Sequence, residues 1–306
     1  MSCAGRPQRR PALPDLPNFL IVGAAKSGTT ALYHLLQRHP EVFMPVVKEP
    51  HYFVRERVRG QIPNLVDDWE SYAALFAGAG ARKARGEASV LYLYYHEEAI
   101  AGIRARLGPD TRIIILLRNP VDRAYSAYQF ACRFNRDENL SFEAALSAEE
   151  VRRANLRLSP MLHYRSMGLY SAMVLAYLQA FRNVHVILYD DLQLQPAVTL
   201  RSLCTFLGID PARLDSSASH NVGGTIWKSA GLGLMVKRAA GRGTRAWLQR
   251  NAPTLHRRLK AFALQYMMKS AATMPPQVRA ELLAYYRQDV QQLGRLLGRD
   301  LCQWLV

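Results

Sequence analysis

Phe19-Leu20-Ile21-Val22-Gly23-Ala24-Ala25-Lys26-Ser27-Gly28-Thr29-Thr30 is the stretch that decides the fold. It opens as a short apolar run ended by glycine, the pattern of a strand buried on both faces. From Thr29 the period changes. Leu32, Leu35 and Leu36 recur at helical spacing until Pro40 stops the run. A strand that turns through such a loop into a helix aims main-chain N–H groups and the positive helix end at an anion. The spacing from Gly23 to Gly28 equals that of the nucleoside triphosphate loop, G-x-x-x-x-G-K-[ST]. The lysine does not match. That motif needs Lys where Thr29 stands, and Lys26 comes three positions earlier. A lysine inside the loop lies beside the first phosphate and its leaving oxygen. A less charged group, such as a sulfuryl, can then transfer with lysine and N–H donors alone, with no metal required. The same glycine spacing also fits a plain tight turn.

Working outward, strands and helices alternate. Arg85–Ser89 reads as a short strand and Glu97–Leu107 as a helix ended by Gly108-Pro109. Arg112–Leu117 is the clearest strand, and Val121–Phe130 a helix. Phe142–Arg157 reads as one helix with Ser141 as its N-cap. Tyr170–Phe181 is another helix, Val184–Tyr189 a strand and Pro196–Leu207 a helix with Gly208 beyond it. The expected fold is α/β, a central parallel sheet flanked by helices with a P-loop-like first turn. Ligands in such sheets bind at the C-terminal strand ends, which here carry Gly23–Thr30, Ser89 and Arg118. Residues 1–17 read as a proline-rich basic arm, and 18–306 as a single domain.

The composition bounds the partners. Of 306 residues, 49% are hydrophobic and 21% charged, which excludes a disordered chain. Forty Lys+Arg against 24 Asp+Glu give +16, which favours an anionic partner without choosing one. Cys3, Cys132, Cys204 and Cys302 are far apart, so neither a disulfide scaffold nor a zinc spacing is expected. No h-region marks a signal peptide, and no apolar run is long enough to span a membrane. From Ser216 to Ala280 there is no Asp or Glu, while basic residues recur among Trp227, Trp247, Phe262 and Tyr266. That segment reads as a solvated basic face, as a docking face for an acidic acceptor, or, over 228–269, as a peripheral contact with an anionic membrane.

A second motif follows the strand Arg112–Leu117. Arg118 ends it, Asn119-Pro120 turns the chain, and Ser126 falls about two turns into the next helix. A guanidinium with a hydroxyl suits a terminal phosphate monoester, although Arg118 capping the sheet edge by a salt bridge fits too. Asp122 and Arg123 read as structural, paired with their neighbours.

Phe19–Tyr33 and Arg118–Ser126, in this order at these strand ends, resemble the PAPS-dependent sulfotransferases. The chain looks most like the sulfotransferase domain of heparan sulfate N-sulfotransferases and bacterial carbohydrate and natural-product sulfotransferases. The likeness extends to Tyr285–Val290, Gly298–Leu301 and Trp304. It implies that Ala25, Lys26, Ser27, Gly28, Thr29 and Thr30 hold the 5′-phosphosulfate of PAPS, and Arg118 and Ser126 its 3′-phosphate. It implies that Glu49, in Lys48-Glu49-Pro50-His51, is the general base on the acceptor, with Lys26 beside the leaving oxygen. A salt bridge between Glu49 and Lys48 is the plainer reading of that carboxylate. His51 is a rival base. Lys48, His51, Ser89 and His220 are acceptor-side candidates, while His96 reads as a helix start. Gly86-Glu87-Ala88-Ser89 matches the family's Glu-Lys-Ser or Glu-Ala-Ser strand end. Ala88 stands where the heparan sulfate enzymes often carry lysine, and Ser219–Gly233 lacks their cysteine pair and Lys-Gly-Arg clamp. Both departures weaken heparan sulfate as the acceptor.

The expected activity is therefore sulfuryl transfer from PAPS to a hydroxyl or amine of a carbohydrate, glycolipid or natural product, releasing 3′,5′-ADP. Nucleic acid is not an expected partner. Two other readings stand beside it. One is a P-loop kinase or NTPase, with Asp190 or Asp191 as its Walker-B acid; the other is a non-enzymatic module for nucleic acid or lipid. The expected setting is a bacterial cytoplasm, or the Golgi lumen if an anchor precedes this stretch. Oligomeric state is not legible.

Overall fold

The computed structural model describes residues 16–62, 65–133, 138–214 and 273–306, with the backbone of 225–227 and 268–270. The strands are β1 (Phe19–Gly23), β2 (Val42–Phe43), β3 (Ala84–Ala88), β4 (Arg112–Leu117), β5 (Val184–Leu188), β6 (Thr225–Trp227) and β7 (Met268–Ser270). The helices are α1 (Thr29–Gln37), α2 (Arg55–Val58), α3 (Trp69–Ala74), α4 (Leu91–Tyr94), α5 (His96–Leu107) and α6 (Pro120–Arg133). They continue with α7 (Phe142–Ser147), α8 (Glu149–Ala154), α9 (Tyr170–Ala180), α10 (Tyr189–Leu194), α11 (Pro196–Leu207) and α12 (Pro276–Leu297).

The five-stranded sheet runs β2-β3-β1-β4-β5, with every pairing parallel. β6 and β7 form a separate antiparallel pair. Side chains alternate across β1 and β4, which is why both strands read as unbroken apolar runs. Phe19, Ile21, Ile114 and Leu116 pack with Leu32 and Leu36 of α1 and Leu203 of α11. Leu20, Val22, Ile113 and Ile115 pack on the other face with Val121 of α6, Val174 of α9 and Tyr286 of α12. A sheet covered on both sides buries alternate residues equally well. Gly86 in β3 follows from the register: it sits opposite Phe19, whose ring carbons would lie 2.4 Å from an added Cβ.

From β1 the chain moves first towards β2 and β3, then crosses to β4 and β5 on the other side. The reversal at β1 opens a crevice at the C-terminal strand ends, where ligands of open α/β sheets bind.

Two expectations need correction. The single helix expected over Phe142–Arg157 is two, α7 and α8, broken at Ala148. The Glu149 carboxylate accepts the amides of Arg165 and Ser166, so a distant loop fixes where α8 begins. The strand expected over Val184–Tyr189 ends at Leu188, and Tyr189 opens α10. His96 opens α5 as expected. Among the described residues no helix is long and apolar enough to cross a membrane.

Candidate functional site

Residues Gly23–Thr30 leave β1 and enter α1 as expected. The Ala24 amide returns to the sheet, donating to the Leu116 carbonyl at 2.6 Å. Gly28 caps α1 at φ 94°, and no side chain caps the helix end. The first-turn N–H groups around Gly28, Thr29 and Thr30 are therefore left for a ligand. An added Cβ on Gly28 would also press the Tyr189 ring at 3.3 Å. Ala25 and Thr29 are buried and Thr30 is exposed. Ser27 is buried, and its hydroxyl has no hydrogen-bond partner among the described residues.

Among the described residues, positive φ outside glycine occurs at Lys26 (70°), Glu49 (60°) and His51 (51°). The left-handed region costs an ordinary side chain about 1–2 kcal/mol. All three are residues singled out from the sequence, and such strain gathers where geometry serves a ligand.

Lys26 and Arg118 meet at the ends of β1 and β4. Arg118 Nη1 donates to the Lys26 carbonyl at 3.5 Å, and its guanidinium lies 5.0 Å from the Tyr189 ring centroid. Lys26 Nζ stands 4.0 Å from the Phe130 ring centroid. Ser126 lies one turn before Phe130 on α6, so the two share the helix face that meets the loop. Burial and the neighbouring Arg118 pull the Lys26 ammonium down to about 8; Glu49 opposes this, and Arg133 and Arg123 add to it. Among the described residues Arg118 makes no ion pair of the kind a sheet-edge cap would need; its guanidinium meets the Lys26 carbonyl and the Tyr189 ring.

Glu49 belongs to the loop between β2 and α2. It pairs with Lys48, and its Oε2 lies 3.7 Å from His51 Nε2, with 34% of the side chain exposed. Burial pushes its carboxyl up, but the bond from His51 and the charge of Lys48 outweigh this and hold it down to about 2. His51 is buried, and its backbone amide donates to Ser89 Oγ at 3.0 Å. Ser89 in turn donates to Glu87 Oε2 at 2.8 Å. The loop bearing Glu49 is thus tied to the end of β3.

Glu87, in the Gly86-Glu87-Ala88-Ser89 strand end, was not among the expected site residues. It is fully buried, and the Tyr72 hydroxyl donates to it at 3.4 Å. Burial pushes its carboxyl up to about 7, against hydrogen bonds from Ser89, Tyr92 and Tyr72. Phe130 and Tyr189 were missed as well; the available signal was their place at a helix face and a strand end beside the two motifs. His220 and nearly all of 228–269 lie outside the described residues.

Two acids proposed for a Walker-B role are engaged elsewhere. Asp190 accepts from the Trp304 indole, and Asp191 is gripped by Arg299 at 2.9 and 3.0 Å. Asp122 pairs with Arg279 at 3.0 Å, as its structural reading expects. Among the described residues Arg123 makes no such pair. Among the described residues no group of three or more His, Cys, Asp or Glu gathers as for a metal ion.

Comparison with known proteins gives the family. A family model described as sulfotransferase domain matches residues 16–222. The crystal structure of a sulfotransferase from Alicyclobacillus acidocaldarius is 31% identical, with TM-score 0.69, covering 94% of this chain and 98% of that one. The human bifunctional heparan sulfate N-deacetylase/N-sulfotransferase 2 is 31% identical over 203 residues, 64% of this chain and 22% of that protein. Human carbohydrate sulfotransferase 15 is 26% identical over 250 residues, 64% of this chain and 44% of that protein. The chain therefore spans between about a fifth and under half of those curated relatives.

Proposed function

This chain belongs to the sulfotransferase domain family, and from that premise we propose that it moves the sulfuryl group of PAPS to a hydroxyl or amine of a carbohydrate, glycolipid or natural-product acceptor. One observation carries the reading: an uncapped helix start, Lys26 and Arg118 converge at the crevice, with Glu49 close enough to act on the Lys26 charge. The Gly28–Thr30 amides and the unpartnered Ser27 hydroxyl suit the 5′-phosphosulfate. Arg118 and Ser126 suit the 3′-phosphate.

The acceptor oxygen or nitrogen forms a bond to sulfur, the bond from sulfur to the 5′-phosphate oxygen breaks, and 3′,5′-ADP departs with that electron pair. Lys26 and the loop amides stabilise the charge arriving on the bridging oxygen. Glu49 receives the acceptor proton. A carboxyl held at about 2 is ionised but weakly basic. Its proton therefore moves late, as the nucleophile becomes acidic on bonding to sulfur. The Lys48 and His51 contacts aim the carboxylate while it waits.

The acceptor is read as polar or anionic from the cations at the crevice, Lys26 and Arg118, and from Lys48 beside Glu49. The test is a thermal-shift titration with 3′,5′-ADP against 5′-AMP and ATP–magnesium. Stabilisation that needs the 3′-phosphate supports the donor site and is followed by an acceptor screen with PAPS. A response to ATP–magnesium alone overturns the reading in favour of a kinase.

A further inference from the structure

Arg123 lies on α6, one turn beyond the Asn119-Pro120 corner, with its amide bonded to the Asn119 carbonyl at 2.9 Å. Its side chain is 0% exposed. One terminal nitrogen donates to the Tyr164 carbonyl. Nε and the other terminal nitrogen have no partner among the described residues. A guanidinium keeps its proton and brings five N–H donors. Buried with donors unfilled and no carboxylate beside it, such a charge is costly, and proteins ordinarily pair it.

The nearby acids are committed elsewhere. Asp122 turns to Arg279. Asp289 takes the amides of Tyr170 and Ser171. Glu149 takes the amides of Arg165 and Ser166. The Arg123 charge acts on Tyr286 and Tyr170, and least on Lys26. The Tyr170 hydroxyl donates to the Arg118 carbonyl at 3.1 Å, which links the buried guanidinium to the end of β4.

We propose that Arg123 is a positioning charge for the sulfuryl donor: a cation buried on the helix that follows Arg118, touching no substrate, whose counter-charge is the set of phosphates held by Lys26 and Arg118. This rests on the donor reading given above. The protein keeps a buried positive charge uncompensated by its own acids, and the bound nucleotide compensates it. A salt-bridge partner inside the protein would remove that contribution to binding.

The test compares the whole chain with Arg123→Met and Arg123→Lys by calorimetric titration against 3′,5′-ADP, 5′-AMP and adenosine. A charge acting through the field gives a loss that grows with ligand charge. Arg123→Met should weaken 3′,5′-ADP about tenfold, 5′-AMP less, and adenosine not at all. Its thermal stability without ligand should hold or rise, because an unpaired buried charge has been removed. Arg123→Lys should keep most of the affinity for 3′,5′-ADP. Equal binding of all three ligands by wild type and Arg123→Met overturns the proposal. An equal loss for all three, adenosine included, overturns it too and makes Arg123 a packing residue. If Arg123→Met does not fold, Arg123→Lys decides: loss of the adenosine and 3′,5′-ADP affinities by one factor sinks the idea. Wild type that ignores 3′,5′-ADP sinks the donor reading itself, a distinguishable failure.

Discussion

The two lips of the crevice are charged by opposite rules. On the lip built from β1, β4 and α6, Lys26 stands over a ring, Arg118 rests on a carbonyl and a ring, and Arg123 is buried on a single carbonyl. None of the three has an ion-pair partner among the described residues. On the lip that follows β2 and β3, Glu49 pairs with Lys48 and faces His51, while Glu87 collects the hydroxyls of Ser89 and Tyr72. The first lip is short of negative charge and the second is balanced internally. A binding surface gains from unsatisfied charge because the ligand completes it. A proton acceptor gains from satisfied charge because its geometry is then set in advance.

The sharpest way to break this comparison is to strike each lip separately. Glu49→Gln should lower kcat by about 10²–10⁴-fold and should not weaken 3′,5′-ADP binding, since it removes a negative charge near the site. Arg118→Ala should raise the Kd for 3′,5′-ADP by roughly 10–100-fold. If Glu49→Gln weakens nucleotide binding as much as Arg118→Ala does, the division between the lips is wrong.

A smaller effect sharpens the balanced lip. Glu87 titrates at about 7 when folded, raised from 4.5, so the folded chain holds this proton more tightly than the unfolded one. Its contribution to stability is whole below about pH 4.5 and is lost as pH rises through about 7. Glu49 is depressed to about 2, so its contribution is constant over that window. His163, held down to about 4 by burial, works in the opposite sense over the same range. The stability of the wild type relative to Glu87→Gln, read by denaturant unfolding, should therefore fall by about 1–3 kcal/mol from pH 4.5 to 7. Parallel profiles would exclude Glu87 as a contributor.

The smallest effect belongs to the cationic lip. Lys26 is lowered to about 8, and phosphate charge favours its protonated form. Binding of 3′,5′-ADP near pH 8 should thus take up a fraction of a proton, and affinity should decline as pH rises through that value. Calorimetry in two buffers of different ionisation enthalpy reads the uptake, which Lys26→Ala should abolish. An equal uptake in that variant would assign the proton to another group.

What the sequence disclosed follows the range of the forces involved. β1, α1 and β4 are written in local apolar period and in the Gly23–Gly28 spacing, so they were legible, as was the pairing of both motifs at strand ends. β2 has two residues, too few to show any period, and exists because Val42 and Phe43 pair with Ala84 and Arg85. The break between α7 and α8 was hidden because Glu149 answers to Arg165 and Ser166. Asp190 and Asp191 looked available because their partners, Trp304 and Arg299, come more than a hundred residues later. Glu87 was visible as a letter in a motif, but its burial under Tyr72 and Tyr92 was not. Residue type and spacing report the chemistry a site is able to do; the charge it carries depends on what folds over it.

The fastening of residues 299–306 onto the sheet has a consequence in time. Asn119, beside Arg118, gives its side-chain amide to the Trp304 carbonyl, 185 residues further on. Trp304 also reaches Asp190, next to the Tyr189 ring that supports Arg118. A ribosome finishes the whole phosphate loop early and supplies its clasp much later. A nascent chain halted before Arg299 thus carries both anion motifs but not the latch that steadies the corner between them. If the donor reading holds, grip on nucleotide serves as a receipt that translation has run past Trp304.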